Sequence, residues 1–158
     1  MADTKSSAIP AIDETYPVAA RIERSHYRVA MNAAGHELVA DEPESYGGGD
    51  AGPSPYDYLL AALGSCTAMT LRMYADRKEL PLDEVTVRMN FERVHARDCE
   101  ECESASGKVG RIERIVHMKG DLSDEQRAKL IEIADKCPVH RTLTTEMIIH
   151  TTEGDAAE

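Results

Sequence analysis

Residues Gly52 to Arg77 read GPSPYDYLLAALGSCTAMTLRMYADR, and this run predicts a long helix. Ser54 can cap the first free amides, Pro55 takes a first-turn place where its missing N–H costs nothing, and Asp57 sets a carboxylate near the positive helix end. Beyond them Leu59, Leu63, Cys66, Thr70 and Met73 share one face, with Leu60, Gly64, Thr67 and Leu71 beside it. A helix that is apolar or small on nearly every side is buried on most of them, and this one carries a thiol, Cys66, at its middle. Free cysteine is usually a small apolar filler. A second cysteine, Cys137, closes another amphipathic helix just before Pro138, so two thiols on the core faces of two helices could meet.

Ahead of that helix, residues 1–17 are small, polar and proline-containing and read as a flexible arm. Arg21 to Met31 (RIERSHYRVAM) and His36 to Asp41 (HELVAD) read as two strands joined by a short turn. The loop Glu42 to Asp50 holds three consecutive glycines, which let backbone approach backbone or a ligand closely. After the helix, Val85 to His95 (VTVRMNFERVH) alternates as a half-buried strand does. A charged loop and a second strand, Arg111 to Lys119, complete a hairpin. Ser123 with Gln126 is a capping-box pattern, and Leu130, Ile131, Ala134 and Cys137 line the helix it starts. Pro138 ends that helix, and Met147 to Thr152 reads as a last strand.

At 158 residues, 42 % hydrophobic and 30 % charged, the chain fits one globular domain, residues 18–158, after the arm. Its core must be aliphatic, since there is no Trp and one Phe, Phe91. A formal charge of −11 with no basic cluster argues against nucleic acid or an anionic membrane as partner. No signal-like start and no apolar run of about 20 residues is seen, so the expected compartment is the cytoplasm. Four cysteines there point to catalysis or metal binding rather than structural disulfides.

Two constellations carry chemistry. In the first, Cys137 at a helix C-terminus is the poorer thiolate and suits a resolving role, while Cys66 gains nothing from a dipole and needs a cation or donor beside it. Arg24, with Arg21 and Arg28 as rivals, and His140 and Arg141 just after Pro138 are the candidates. In the second, His95, Cys99 and Cys102 lie in RVHARDCEECES, where a C-x-x-C pair with a nearby histidine suits zinc or iron. A fourth ligand would come from His117, an acidic side chain or water.

The run GPSPYDYLLAALGSCTAMTLRMYADRK, followed some seventy residues later by CPVHRTL, resembles the OsmC/Ohr family of thiol-dependent hydroperoxide reductases. It is closest to the branch found fused to α/β-hydrolases. The resemblance implies an α+β fold in which antiparallel sheets wrap around long central helices in an intertwined homodimer, with active sites at the dimer interface. Carried over by motif position, Cys66 resembles the peroxidatic cysteine and Cys137 the resolving one. An organic hydroperoxide would be the substrate, an external dithiol the reductant, and no cofactor would be required. The chain departs from the family where peroxidase members place a glutamate ten residues before the first cysteine. Tyr56 stands there, and its phenol could offer a hydrogen bond. Asp57 is on the opposite helix face from Cys66. Arg24 lies at a sequence distance from Cys66 similar to that of the Ohr arginine. The alternative is a non-enzymatic redox or metal-binding module of the same fold that uses the His95, Cys99 and Cys102 loop, with zinc as its metal.

Overall fold

Positive backbone angles at a few residues cut the N-terminal half into strands. Ala34 (φ 51°) and Gly35 (φ 88°) form a two-residue turn whose twist suits a hairpin, and the Asn32 carboxamide oxygen accepts from the Gly35 amide at 3.0 Å. This turn joins β2 (Val29–Ala33) to β3 (His36–Ala40). The expected single strand from Arg21 to Met31 is two, because His26 (φ 55°) turns the chain between β1 (Val18–Ile22) and β2. The three strands form one antiparallel sheet in the order β1-β2-β3. The computed structural model describes residues 8–24, 26–95 and 107–154, and the chain divides into two compact units, residues 1–59 and 60–158.

In the first unit the triple-glycine loop is built around Asp41. Its buried carboxylate accepts from the amides of Glu42 (2.8 Å), Gly49 (3.1 Å) and Ala51 (3.2 Å). Burial pushes this carboxyl up, and the three amides with the Arg28 charge hold it net below its ordinary range. Gly48 is required here, since a methyl group would overlap the Glu42 carbonyl. The first turn of α1 (Pro55–Arg77) is closed as its sequence predicts: the Asp57 carboxylate accepts from the Ser54 amide and hydroxyl, and the Asp57 amide donates back to that hydroxyl. The Tyr58 hydroxyl donates to the Val39 carbonyl at 2.6 Å and ties that turn to β3.

In the second unit β4 (Glu84–His95) and β5 (Lys108–Lys119) pair antiparallel along their whole length, from Glu84 opposite Lys119 to His95 opposite Lys108. α2 (Asp124–Ala134) starts at the expected capping box, with Ser123 and Gln126 bonded reciprocally. Leu71 and Ala75 of α1, Leu130, Ile133 and Ala134 of α2, and the flanking Leu82 and Leu122 make the core, with Val85, Val116 and Met118 packed against it. The buried residues of α1 are Leu63, Gly64, Thr67, Leu71 and Ala75, three of which, Gly64, Thr67 and Leu71, are among those read as lying beside the Cys66 face. Met73, read as sharing the face of Cys66 on a helix buried on most sides, is 71 % exposed.

Two further elements differ from expectation. A short helix, α3 (Pro138–Leu143), follows Cys137, because a proline that disfavours helical geometry at the residue before it is itself well placed in a first turn. The last strand does not form: residues 147–152 have no ladder partner among the described residues, and a strand is stable only when paired. The fold is α+β, with antiparallel sheets and separate helices. Among the described residues no helix is long and apolar enough to cross a membrane.

Candidate active site

α1 contributes two adjacent side chains, Cys66, which is partly exposed, and Thr67, which is fully buried. The link between α2 and α3 contributes Cys137, whose residue is 0 % exposed. Both cysteines are free. Cys137 has extended backbone (φ −62°, ψ 138°) and is the N-cap of α3, so the expectation that it sits at a helix C-terminus is corrected. Its sulfur accepts from the His140 amide at 3.3 Å and lies 3.7 Å from the Thr67 hydroxyl oxygen.

The electrostatics therefore reverse. Burial pushes the Cys137 thiol up, but the His140 amide, the neighbouring Cys66 thiol, the Thr67 hydroxyl and the Val139 amide together hold it below its ordinary value of 9.0. Around this buried sulfur the donors together outweigh the effect of burial.

The cation of the site is Arg114, which the sequence reading missed. From β5 its Nη1 donates to the Thr67 hydroxyl oxygen (3.0 Å) and to the Ala134 carbonyl (3.2 Å), and its Nη2 pairs with Asp135 (2.6 Å). One side chain thus joins β5, α1 and the end of α2. The signal for it was strand alternation: Ile112, Arg114, Val116 and Met118 share the partly buried face of β5, and an arginine in such a row needs partners.

His140, a predicted candidate, is brought to the site. Its Nδ1 is 3.9 Å from Asp135, and its amide donates to the capping Cys137 sulfur. A pocket of about 400 Å³ opens beside these groups, with Leu63, Ile112 and Leu143 on its apolar side and Arg114, Asp135 and His140 on its polar side.

Of the other candidates, Arg24, Arg21 and Arg28 belong to the first unit. Arg24 is an exposed residue just after β1, Arg21 pairs with Glu23 at 3.0 Å, and Arg28 lies beside Asp41 at the glycine loop. Tyr56 is in the first turn of α1, about 15 Å along that helix from Cys66. Arg141 is an exposed residue of α3.

His95 is the exposed last residue of β4, while Cys99 and Cys102 lie outside the described residues. The ladder sets His117 opposite Thr86, about 30 Å along the strand from His95. Among the described residues, no three His, Cys, Asp or Glu side chains are grouped to hold a metal ion.

Comparison with known proteins agrees with this fold. No curated protein matches the chain. Solved structures do: an organic hydroperoxide resistance protein OsmC from Legionella pneumophila superposes with a TM-score of 0.60 at 16 % identity, covering 84 % of this chain and 92 % of that one. An OsmC like protein from Mycoplasma pneumoniae gives 0.60 at 19 % identity over 84 % and 89 % of the two chains. The organic hydroperoxide resistance protein OhrB of Bacillus subtilis gives 0.57 at 18 % identity over 80 % and 88 %. At these identities the likeness is one of fold. The family model described as OsmC-like protein matches residues 47–152, well over half of the sequence and including both thiols, and the chain belongs to that family.

Proposed function

We propose that the protein is a cytoplasmic thiol peroxidase that reduces organic hydroperoxides to alcohols through a Cys66 sulfenate and a Cys66–Cys137 disulfide. The observation that carries this reading is the thiol pair itself: a partly exposed Cys66 that a peroxide can reach, next to a buried Cys137 whose surroundings favour the thiolate. The Cys66 sulfur attacks the terminal peroxide oxygen, the O–O bond breaks and the alcohol leaves. Cys137 then attacks the sulfenic sulfur and water departs, leaving the disulfide. The two sulfurs supply the two electrons, so no cofactor is required. An external dithiol restores the pair by exchange.

The pocket beside Arg114 and His140, which neither Cys66 nor Cys137 lines, would suit the alkyl part of an organic rather than an inorganic peroxide, since Leu63, Ile112 and Leu143 offer apolar wall. Arg114 is already neutralised by Asp135, so a neutral alkyl substrate fits better than a carboxylate. The names of the Legionella and Bacillus relatives, organic hydroperoxide resistance proteins, point the same way. Homodimerisation belongs to this proposal too. Met69 and Met73 form an exposed apolar stripe on α1, and Met147, Ile148 and Ile149 are exposed and unpaired.

The test is the second-order rate of Cys66 oxidation by an alkyl hydroperoxide against that by hydrogen peroxide, with non-reducing mass analysis of the wild type and Cys137→Ser. A fast rate that prefers the alkyl substrate, ending in a disulfide in the wild type and in sulfenic acid in the variant, is expected. A rate no better than that of a free thiol would sink the peroxidase. Stoichiometric zinc that is lost on changing Cys99 and Cys102 would then favour the metal-binding alternative at the His95 to Cys102 loop.

A further inference from the structure

The pocket beside the thiols has a direction. Its β5 wall is Gly110, Ile112 and Arg114, which alternate onto one face of the strand, so over about 13 Å the wall passes from bare backbone through an apolar side chain to a guanidinium. Asp135 and His140 stand with Arg114 at the polar end, since Asp135 pairs with Arg114 at 2.6 Å and lies 3.9 Å from the His140 ring. That end is the one joined to the thiols. Arg114 Nη1 is 3.0 Å from the Thr67 hydroxyl oxygen, which is 3.7 Å from the Cys137 sulfur. Leu63, one helical turn before Cys66, carries apolar wall back to the same place.

Gly110 is the far end. Its φ lies outside the left-handed region, so the backbone does not demand a glycine there. Space does. A Cβ at this position would lie 2.9 Å from Cε2 and 3.3 Å from Cζ of Phe91, the one phenylalanine of the chain. The ladder sets Phe91 opposite Ile112, and its ring reaches diagonally across to Gly110 on the pocket face of the hairpin.

We propose that Gly110 is a specificity-determining residue, which sets the length of straight alkyl tail that the pocket accepts from an amphiphile whose polar group lies at Arg114 and His140. The polar group is the hydroperoxide of the peroxidase reading, on which this inference rests, and the class of tail is the addition. The tail runs along β5 over Ile112 and ends against the Gly110 backbone. A side chain at position 110 has to push the Phe91 ring aside or fill the end of the pocket, and in both cases a tail that reaches Gly110 loses its last contacts.

The experiment reads binding without peroxide, by calorimetric titration of the reduced protein with straight-chain primary alcohols from butanol to decanol. Each methylene that enters the pocket should raise the affinity about fourfold, until the tail reaches Gly110 and the rise stops. In Gly110→Val the rise should stop at a shorter alcohol, and the ratio of decanol to butanol affinity should fall on the order of tenfold. Taking the ratio cancels any general loss of folded protein. Should Gly110→Val not fold, the wild type decides alone: a decanol bearing a diazirine at its tail should, on illumination, label Phe91 or its neighbours around Gly110. An affinity that does not rise with length, a Gly110→Val ratio equal to that of the wild type, or label at Asp135 or His140 overturns the proposal. The alcohols are not turned over, so failure here leaves the Cys66 oxidation test standing, and failure of that test does not alter this one.

Discussion

At Cys137, the backbone angle ψ separates two opposite chemistries. A helical value would leave the thiol among the free carbonyls at the end of α2, and the observed 138° turns it into the cap of α3, among amides. A pH dependence of stability follows. The native thiol ionises below its ordinary value of 9.0, so the unfolded chain binds more protons in the interval between the two values, and stability rises with pH across it. The contribution is complete above 9.0 and is lost as pH falls through the native pKa. The urea midpoint of the wild type should therefore gain on that of Cys137→Ser as pH is raised from about 6 towards 9.0, and an unchanged difference would count against a native thiolate. Cys66 and Cys137 were legible as a pair because each sits on a helical apolar pattern. The polarity of Cys137 was not, since a proline after a helix reads equally as an end and as a beginning. Arg114 was hidden for another reason: its partners come from α1 and the end of α2, 47 and 21 residues away, and no local pattern reports them.

Among the elements, those with reciprocal local chemistry were read correctly. α1 and α2 each begin at a side-chain to backbone exchange within four residues, and the β2–β3 turn is a two-residue signal. Elements whose existence depends on a neighbour were not. The break at His26 requires a non-glycine residue in left-handed geometry, and the strand at 147–152 has an apolar pattern but no ladder. The core is carried by helix contacts, and Leu130 is at its centre with no exposure. Leu130→Ala should cost about 2–5 kcal/mol in chemical denaturation, through lost transfer energy and the cavity left behind. Ser123→Ala should cost about 1 kcal/mol, from one unsatisfied amide at the start of α2. A loss at Leu130 no larger than that at Ser123 would mean that α2 is not packed as described.

Across the whole molecule, a formal charge of −11 coexists with apolar surface on α1, where Met69 is 64 % and Met73 71 % exposed. Helical periodicity grouped Met73 with Leu63 and Cys66 on one face, but periodicity alone does not say whether the chain's own sheet covers that face. The dimer is suggested by family resemblance alone, and the exposed methionines are the surface on which the proposal would put it. Replacing both with glutamate should turn a dimer into a monomer by light scattering after size exclusion, with the far-ultraviolet spectrum retained. A monomeric wild type at micromolar concentration would remove the dimer from the proposal.

In the proposed peroxidase cycle, the difference in cover between the two sulfurs would also set the direction of recharging. An incoming thiolate can approach a Cys66–Cys137 disulfide only at Cys66, since Cys137 is shut away beneath Thr67 and α3. Exchange then makes Cys137 the leaving group, and the same amides that lower its pKa speed its departure. The mixed disulfide with the reductant forms on α1, so substrate and reductant compete for one doorway and the oxidised protein is reset through the atom that was first spent.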